Sequence, residues 1–144
     1  MKNEPFVIER VFDAPVEMVW KAISDKNEMK QWYFDLADFK AVPGFTFSFE
    51  GGTEEHTYLH LCRITEVIPL KKLSYTWDYQ GYEGSSHVIF ELFEEGNQTR
   101  LRLTHEGLDS FPDNPDFAKK NFEAGWSDFI GRLLPEYLGK KTKS

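Results

Sequence analysis

Residues 86–106, with the sequence SHVIFELFEEGNQTRLRLTHE, contain two runs in which apolar and polar residues alternate. Val88 and Phe90 share one side of the first run, and Leu101 lies in the second. Successive side chains of a strand point to opposite faces, so each run is typical of a half-buried β-strand. Glu95-Gly96-Asn97, between the runs, has the composition of a tight turn. The stretch therefore predicts an antiparallel hairpin with one apolar face.

The same two-residue period covers the chain from Asp38 onward, with turn residues such as Gly51-Gly52 between the runs. An antiparallel meander is therefore expected. Its predicted strands are Phe45 to Glu50, His56 to Val67, Leu73 to Tyr79, Ser86 to Glu94 and Thr99 to Glu106.

Helical spacing replaces this period on the N-terminal side. After a first strand at Phe6 to Phe12, Asp13-Ala14-Pro15 stops the strand and starts a helix predicted from Val16 to Ser24. Asp25 with Glu28 has the pattern of a capping box, which begins a second short helix. Two short helices therefore follow the first strand.

A long amphipathic helix is predicted at the C-terminal side, starting at Asn114-Pro115. Pro135 lacks a backbone N–H, so it should kink or end the regular helix near Leu134. Residues 139–144 are expected to form a disordered basic tail. The apolar stripe of the helix comprises Ala118, Phe122, Trp126, Phe129, Leu133 and Tyr137, and Ile130 and Leu134 widen it.

Length and composition indicate one domain spanning residues 1–144. Cys62 is the single cysteine and cannot form an internal disulfide, which favours a reducing, cytoplasmic location. The net charge of −7 disfavours binding to nucleic acid. No apolar run approaches the length of about 18 residues that membrane insertion requires. The oligomeric state is left open.

Several short motifs, taken in their order and spacing, resemble the START-like domains, and most closely the family related to the activator of Hsp90 ATPase. The resemblance covers nearly the whole chain. It implies an α+β helix-grip fold, in which a curved antiparallel sheet wraps around the long C-terminal helix and encloses a cavity. The matching pieces are Arg10-Val11-Phe12-Asp13-Ala14-Pro15, Val19-Trp20, Trp32, Glu66-Val67-Ile68-Pro69, Leu73, Trp77, Thr99-Arg100-Leu101, His105-Glu106-Gly107, Gly125-Trp126, Phe129 and Leu133.

Alternation places Leu73, Tyr75 and Trp77 in one row of a strand and Leu101, Leu103 and His105 in another. In the strand His56 to Val67, either the row of Tyr58, His60, Cys62 and Ile64 or the row of Thr57, Leu59 and Leu61 could face inward. The inward rows and the helix could form a ligand pocket or an ordinary core. The candidate ligand-binding residues are Tyr58, His60, Trp77, Phe90, His105, Phe122, Trp126 and Phe129.

The first functional hypothesis is non-catalytic binding of a small hydrophobic molecule between the sheet and the C-terminal helix. The resemblance implies a second, a co-chaperone partner module for an Hsp90-type chaperone in stress response. The activator itself, however, uses an N-terminal domain on Hsp90 that has no counterpart in these 144 residues. A third is a cyclase, dehydratase or hydrolase whose general acid or base would be His60 or His105.

No catalytic residue, cofactor or metal site is assigned from the sequence. His56 and His60 would lie about 13 Å apart along a strand, too far for both to bind one ion. Gly84-Ser85-Ser86-His87 lacks the G-x-S-x-G pattern of a hydrolase nucleophile. The chain therefore leans towards binding rather than catalysis.

Overall fold

The computed structural model describes residues 5–33, 39–52, 57–111 and 119–142. These ranges contain an α+β fold in which one sheet packs against helices from both ends of the chain, which confirms the predicted fold class. The elements are β1 (Phe6–Phe12), α1 (Val16–Ser24), α2 (Lys26–Trp32), β2 (Thr46–Gly52), β3 (Thr57–Ile68), β4 (Lys72–Tyr79), β5 (Ser86–Glu95), β6 (Gln98–Glu106), a 3₁₀ turn (Leu108–Ser110), α3 (Lys119–Asp128), a π-helical turn (Phe129–Leu133) and α4 (Leu134–Thr142).

The six strands of the described ranges form one antiparallel sheet in the order β1-β6-β5-β4-β3-β2. Each strand after β1 pairs with the next along the chain, as in a meander, and β1 returns to the far edge beside β6. Phe90 pairs with Leu103 and Val88 with His105, so the predicted inward rows of β5 and β6 lie on the same face. Both rows are buried.

The register of β3 resolves the alternative that the alternation left open. Cys62 is 4% exposed and Leu61 is 38% exposed, so the strand turns its even-numbered residues inward. A register shift between Ile64 and Glu66 bends the strand beyond this point. The buried row is Tyr58, His60, Cys62 and Ile64.

The predicted start of α2 is confirmed in part. The Asp25 side chain accepts hydrogen bonds from the backbone N–H groups of Asn27 and Glu28, at 2.9 and 3.1 Å. The backbone N–H of Asp25, which a capping box would pair with Glu28, donates to the Lys21 carbonyl at 3.0 Å. The buried Glu28 carboxylate accepts a hydrogen bond from the Tyr137 hydroxyl of α4.

The C-terminal helix continues past the residue at which the sequence predicts a kink or an end. Pro135 cannot donate a backbone hydrogen bond, and the turn before it is π-helical, with the Leu134 N–H bonded to the Phe129 carbonyl. The expectation of a disordered tail from residue 139 is wrong for residues 139–142, which belong to α4. Leu138 is 3% exposed and anchors this last part of the helix on the core. The predicted helix start at Asn114-Pro115, together with Ala118, lies outside the described residues.

Candidate ligand site

The eight candidate residues come from β3, β4, β5, β6, α3 and the π-helical turn, and all turn towards the interior. Seven are buried and Phe129 is partly buried. Trp126 lies at the centre, with ring centroids 5.7 Å from Trp77, 6.0 Å from Phe90 and 5.9 Å from Phe129. The sheet and the helix therefore present a continuous aromatic surface to each other.

Tyr58 and Phe122 lie at the margins of this group. Tyr58 packs against Tyr79 and Tyr82, with ring centroids 5.7 and 5.4 Å away. Phe122 packs edge-on against His105 at 5.2 Å. Any role of these two residues in ligand binding would thus be at the ends of the interior.

His105 is held by hydrogen bonds on both ring nitrogens. The Trp126 indole N–H donates to Nδ1 at 3.0 Å. Because an indole nitrogen only donates, Nδ1 accepts and the proton lies on Nε2. Nε2 in turn donates to the Ser86 hydroxyl at 2.8 Å, and that hydroxyl donates to the Trp77 carbonyl at 2.6 Å. Burial lowers the pKa of His105 to about 3, with a smaller contribution from His87, so the ring is neutral at physiological pH.

His60 is also buried, and its ring stacks on Phe49 with centroids 4.5 Å apart. Its Nδ1 lies 3.0 Å from the Tyr58 carbonyl, to which it donates. Burial lowers the pKa of His60 to about 4, although hydrogen bonds to the backbone of Tyr58 and Phe49 act in the opposite direction. His60 is therefore a second neutral imidazole in the aromatic interior.

Four neutral polar side chains lie beside these rings, and the sequence analysis did not include them among the candidate residues. They are Tyr33, Tyr75, Tyr79 and Cys62. The hydroxyls of Tyr33 and Tyr75 are 2.8 Å apart, and the Trp77 indole donates to the Tyr79 hydroxyl at 3.0 Å. Cys62 is close enough to raise the pKa of all three tyrosines electrostatically.

Burial is the main cause of these pKa shifts. It raises the pKa of Tyr79 to about 12, and it raises the pKa values of Tyr33, Tyr75 and Cys62 above their ordinary values. All four groups are therefore uncharged at neutral pH. They can exchange hydrogen bonds with a ligand but cannot balance a charged one.

The inward position of some of these polar residues could be predicted from the sequence. Strand alternation placed Tyr75 on an inward row, and it placed Cys62 on one of the two rows of β3 that could face inward. Tyr33 follows the end of α2, where neither strand nor helix periodicity predicts the direction of a side chain. Its ring position depends on tertiary packing against the distant Trp126 and Phe129.

The outer face of the sheet has a different character. A depression there is lined by Thr76, Ser85, Ser86, His87, Glu106, Gly107 and Asp109. His87 lies 2.8 Å from the Thr65 hydroxyl and 3.5 Å from the Glu106 carboxylate. The residues that line this depression are polar or glycine, so it does not match the predicted hydrophobic ligand.

No helix in the described ranges is long and apolar enough to cross a membrane. The same ranges hold no group of three or more His, Cys, Asp or Glu side chains placed to bind a metal ion.

Solved structures with the same fold include three from different sources. Mll3558 from Rhizobium loti has a TM-score of 0.81 at 21% identity, over 94% of this chain and 97% of that one. BH1534 from Bacillus halodurans has a TM-score of 0.73 at 27% identity, over 94% and 96%. DynU16, a protein in the dynemicin biosynthetic locus, has a TM-score of 0.77 at 24% identity, over 95% of this chain and 48% of that one. The present chain thus spans about half of DynU16.

No curated protein matches the chain. The family model described as activator of Hsp90 ATPase homolog 1-like protein matches residues 13–139. That range runs from the end of β1 into α4, and so includes both the sheet and the helix that carry the aromatic interior. The chain belongs to the activator of Hsp90 ATPase homolog 1-like family.

Proposed function

We propose that the chain binds a small, mostly apolar molecule between the concave face of its sheet and its C-terminal helix, without transforming it. The observation that supports this most is the aromatic surface around Trp126, which surrounds a cluster of neutral hydroxyl, thiol and imidazole groups. Small-molecule sites generally combine such apolar walls with a few polar groups that orient the ligand. An interior that served only as a core would gain little from so many polar groups.

The balance of groups indicates which ligands the interior favours. Burying about 300 Å² of apolar ligand surface contributes roughly 7 kcal/mol before the entropy of association is subtracted. The neutral states of Tyr33, Tyr75 and His60 add hydrogen bonds but no compensating charge. Neutral, largely apolar ligands are therefore expected to bind better than ions.

The hydrogen bonds of His105 argue against general acid or base catalysis. Its Nδ1 accepts from Trp126 and its Nε2 donates to Ser86, so a proton transfer to substrate would first break this pair of buried bonds. A pKa of about 3 also lies far from the value near 7 that suits a general base. Binding without catalysis is the function that fits these contacts.

Titration with the neutral fluorescent probe N-phenyl-1-naphthylamine tests the proposal. Phe129 packs on Trp126 and Tyr33, so Phe129→Lys places a charge in the aromatic surface and should weaken binding at least about tenfold. Leu61→Lys is the matched control, because Leu61 lies on β3 beside His60 and Cys62 but faces outward. Equal affinity of the two folded variants would place the probe elsewhere and refute the proposed site.

Family membership supports a second candidate, a partner module for an Hsp90-type chaperone. The outward face of β1 offers a surface for this, since Val7 and Val11 are 49% and 51% exposed. This alternative predicts stimulation of a bacterial Hsp90 ATPase, lost in the Val7→Lys/Val11→Lys variant. No stimulation at high molar excess would eliminate it.

A further inference from the structure

Tyr33 reaches from the surface into the centre of the aromatic interior. It caps the C-terminus of α2, and its side chain is partly buried. Its hydroxyl lies 2.8 Å from the hydroxyl of Tyr75, which is fully buried in the middle of β4. A side chain that begins near solvent therefore ends on one of the most deeply buried polar atoms of the site.

Four other aromatic side chains surround the Tyr33 ring and form a slot for it. It stacks on Trp32 at 5.1 Å and 26° and on Trp126 at 5.9 Å and 22°. Phe129 meets it edge-on at 4.9 Å, and Phe49 lies tilted to it at 6.4 Å. Stacked and edge-on arrangements are the favourable geometries for aromatic pairs, so this slot is shaped for a flat ring.

The backbone of Tyr33 takes no part in the pairing of the strands. The residue lies after the last residue of α2 and outside the sheet, with φ −123° and ψ −129°. Withdrawing the side chain breaks the ring contacts and the bond to Tyr75, but it disrupts no strand pairing. The side chains that form the slot belong to α2, β2, α3 and the π-helical turn.

We propose that Tyr33 occupies the place of the ligand, and that the natural ligand is a neutral aromatic compound whose ring hydroxyl replaces that of Tyr33 on Tyr75. This inference rests on the proposed function and adds its ligand class. The ligand ring takes the stacking positions on Trp32 and Trp126. Anionic ligands should bind more weakly, because Tyr75, Tyr79 and Cys62 are uncharged at neutral pH and cannot balance a negative charge.

The inference is tested with p-cresol, which is the tyrosine side chain as a free molecule. Tyr33→Ala vacates the slot and should bind p-cresol about fivefold more tightly than toluene, which lacks the hydroxyl. It should bind 4-methylbenzoate more weakly than either. In the variant Tyr33→Ala/Tyr75→Phe, the preference for p-cresol over toluene should disappear. Wild type should bind p-cresol more weakly than Tyr33→Ala, because its own side chain competes.

A measurement on wild type keeps the test decisive if Tyr33→Ala does not fold. At saturating p-cresol, intermolecular NOEs between the cresol ring and the Trp126 indole are expected. Absence of these NOEs, equal binding of toluene and p-cresol to Tyr33→Ala, or equal p-cresol affinity of wild type and Tyr33→Ala would each overturn the inference.

The N-phenyl-1-naphthylamine titration distinguishes failure of the inference about Tyr33 from failure of the proposed function. If the probe binds and Phe129→Lys weakens it while p-cresol fails these tests, the interior binds ligands but Tyr33 does not mimic them. If neither compound binds, both proposals fall.

Discussion

At the scale of single residues, the contact that most defines the interior is the chain of bonds from Trp126 through His105 and Ser86 to the Trp77 carbonyl. It links α3 to three neighbouring strands through buried atoms. Leaving a buried donor unpaired costs about 1–3 kcal/mol, whereas a bond that water can replace costs less. Ser86 is therefore expected to contribute more to stability than its size implies.

Ser86→Ala leaves the His105 Nε2–H without its acceptor, so it should lower the free energy of unfolding by about 1–3 kcal/mol. Ser74→Ala is the matched control. Ser74 is equally buried, but its partner Thr65 is exposed and also bonds His87. The Ser74→Ala change should lower the free energy of unfolding by about 1 kcal/mol or less. Urea unfolding of both variants measures the difference, and equal losses would contradict the account of His105.

How far the residues of the site can be predicted depends on where they lie. Alternation along β4, β5 and β6 correctly places Trp77, Phe90 and His105 inward, because a strand has only two faces. The partners of His105 cannot be inferred in this way. Ser86 and Trp126 belong to other elements, and only tertiary packing brings their polar atoms to the ring.

At the scale of elements, the C-terminal helix combines a buried apolar face with two features that interrupt or weaken a regular α-helix. Its stripe was predicted from helical spacing, and Phe122, Trp126 and Ile130 are indeed buried. The π-helical turn was not predicted, because its hydrogen-bond shift depends on how Ile130 and Leu134 fit the core as well as on Pro135. The same helix contains Gly125, which weakens it at a point where a side chain would fit.

Gly125→Ala should raise the free energy of unfolding by about 0.5–1 kcal/mol, since alanine favours a helix and its Cβ would meet no atom within 4 Å. Gly84→Ala is the contrasting variant. Gly84 has φ +101°, and a Cβ there would lie 2.4 Å from the Ser110 carbonyl oxygen, so that change should destabilise the protein. Thermal unfolding of the two variants measures both effects. A destabilised Gly125→Ala would show that the space beside it is filled.

At the scale of the whole molecule, two buried neutral histidines make stability depend on pH. Folding lowers the pKa of His105 from 6.5 to about 3 and that of His60 from 6.5 to about 4. Between these folded values and 6.5, the unfolded chain binds protons that the folded chain does not. Stability is therefore lost as the pH falls below 6.5.

From pH 6 to pH 5 the two residues together should lower the free energy of unfolding by about 2.5 kcal/mol. Urea unfolding across this range measures the slope. His60→Gln should reduce the loss by about half, because one of the two titrations is removed. A flat profile between pH 6 and pH 5 would mean that the imidazoles are accessible to protons in the folded state.

The overall architecture was the most predictable level. The order of strands and helices followed from hydrophobic periods and turn residues. Two features could not be predicted without the packing of the complete molecule. They are the choice of the row of β3 that faces inward and the helical structure of residues 139–142. Leu138 fixes the helix end through a contact with the core that no local pattern encodes.

The central claim, that the interior accepts a small apolar molecule, is tested most directly by native mass spectrometry of the freshly purified protein beside its denatured mass. The account predicts an adduct of small mass that is present natively, absent after denaturation and lost in the Phe129→Lys variant. Addition of N-phenyl-1-naphthylamine should displace it or fill an empty site with one equivalent. A bare native mass that remains unchanged up to the solubility limit of the probe would contradict the claim and identify the aromatic interior as a closed core.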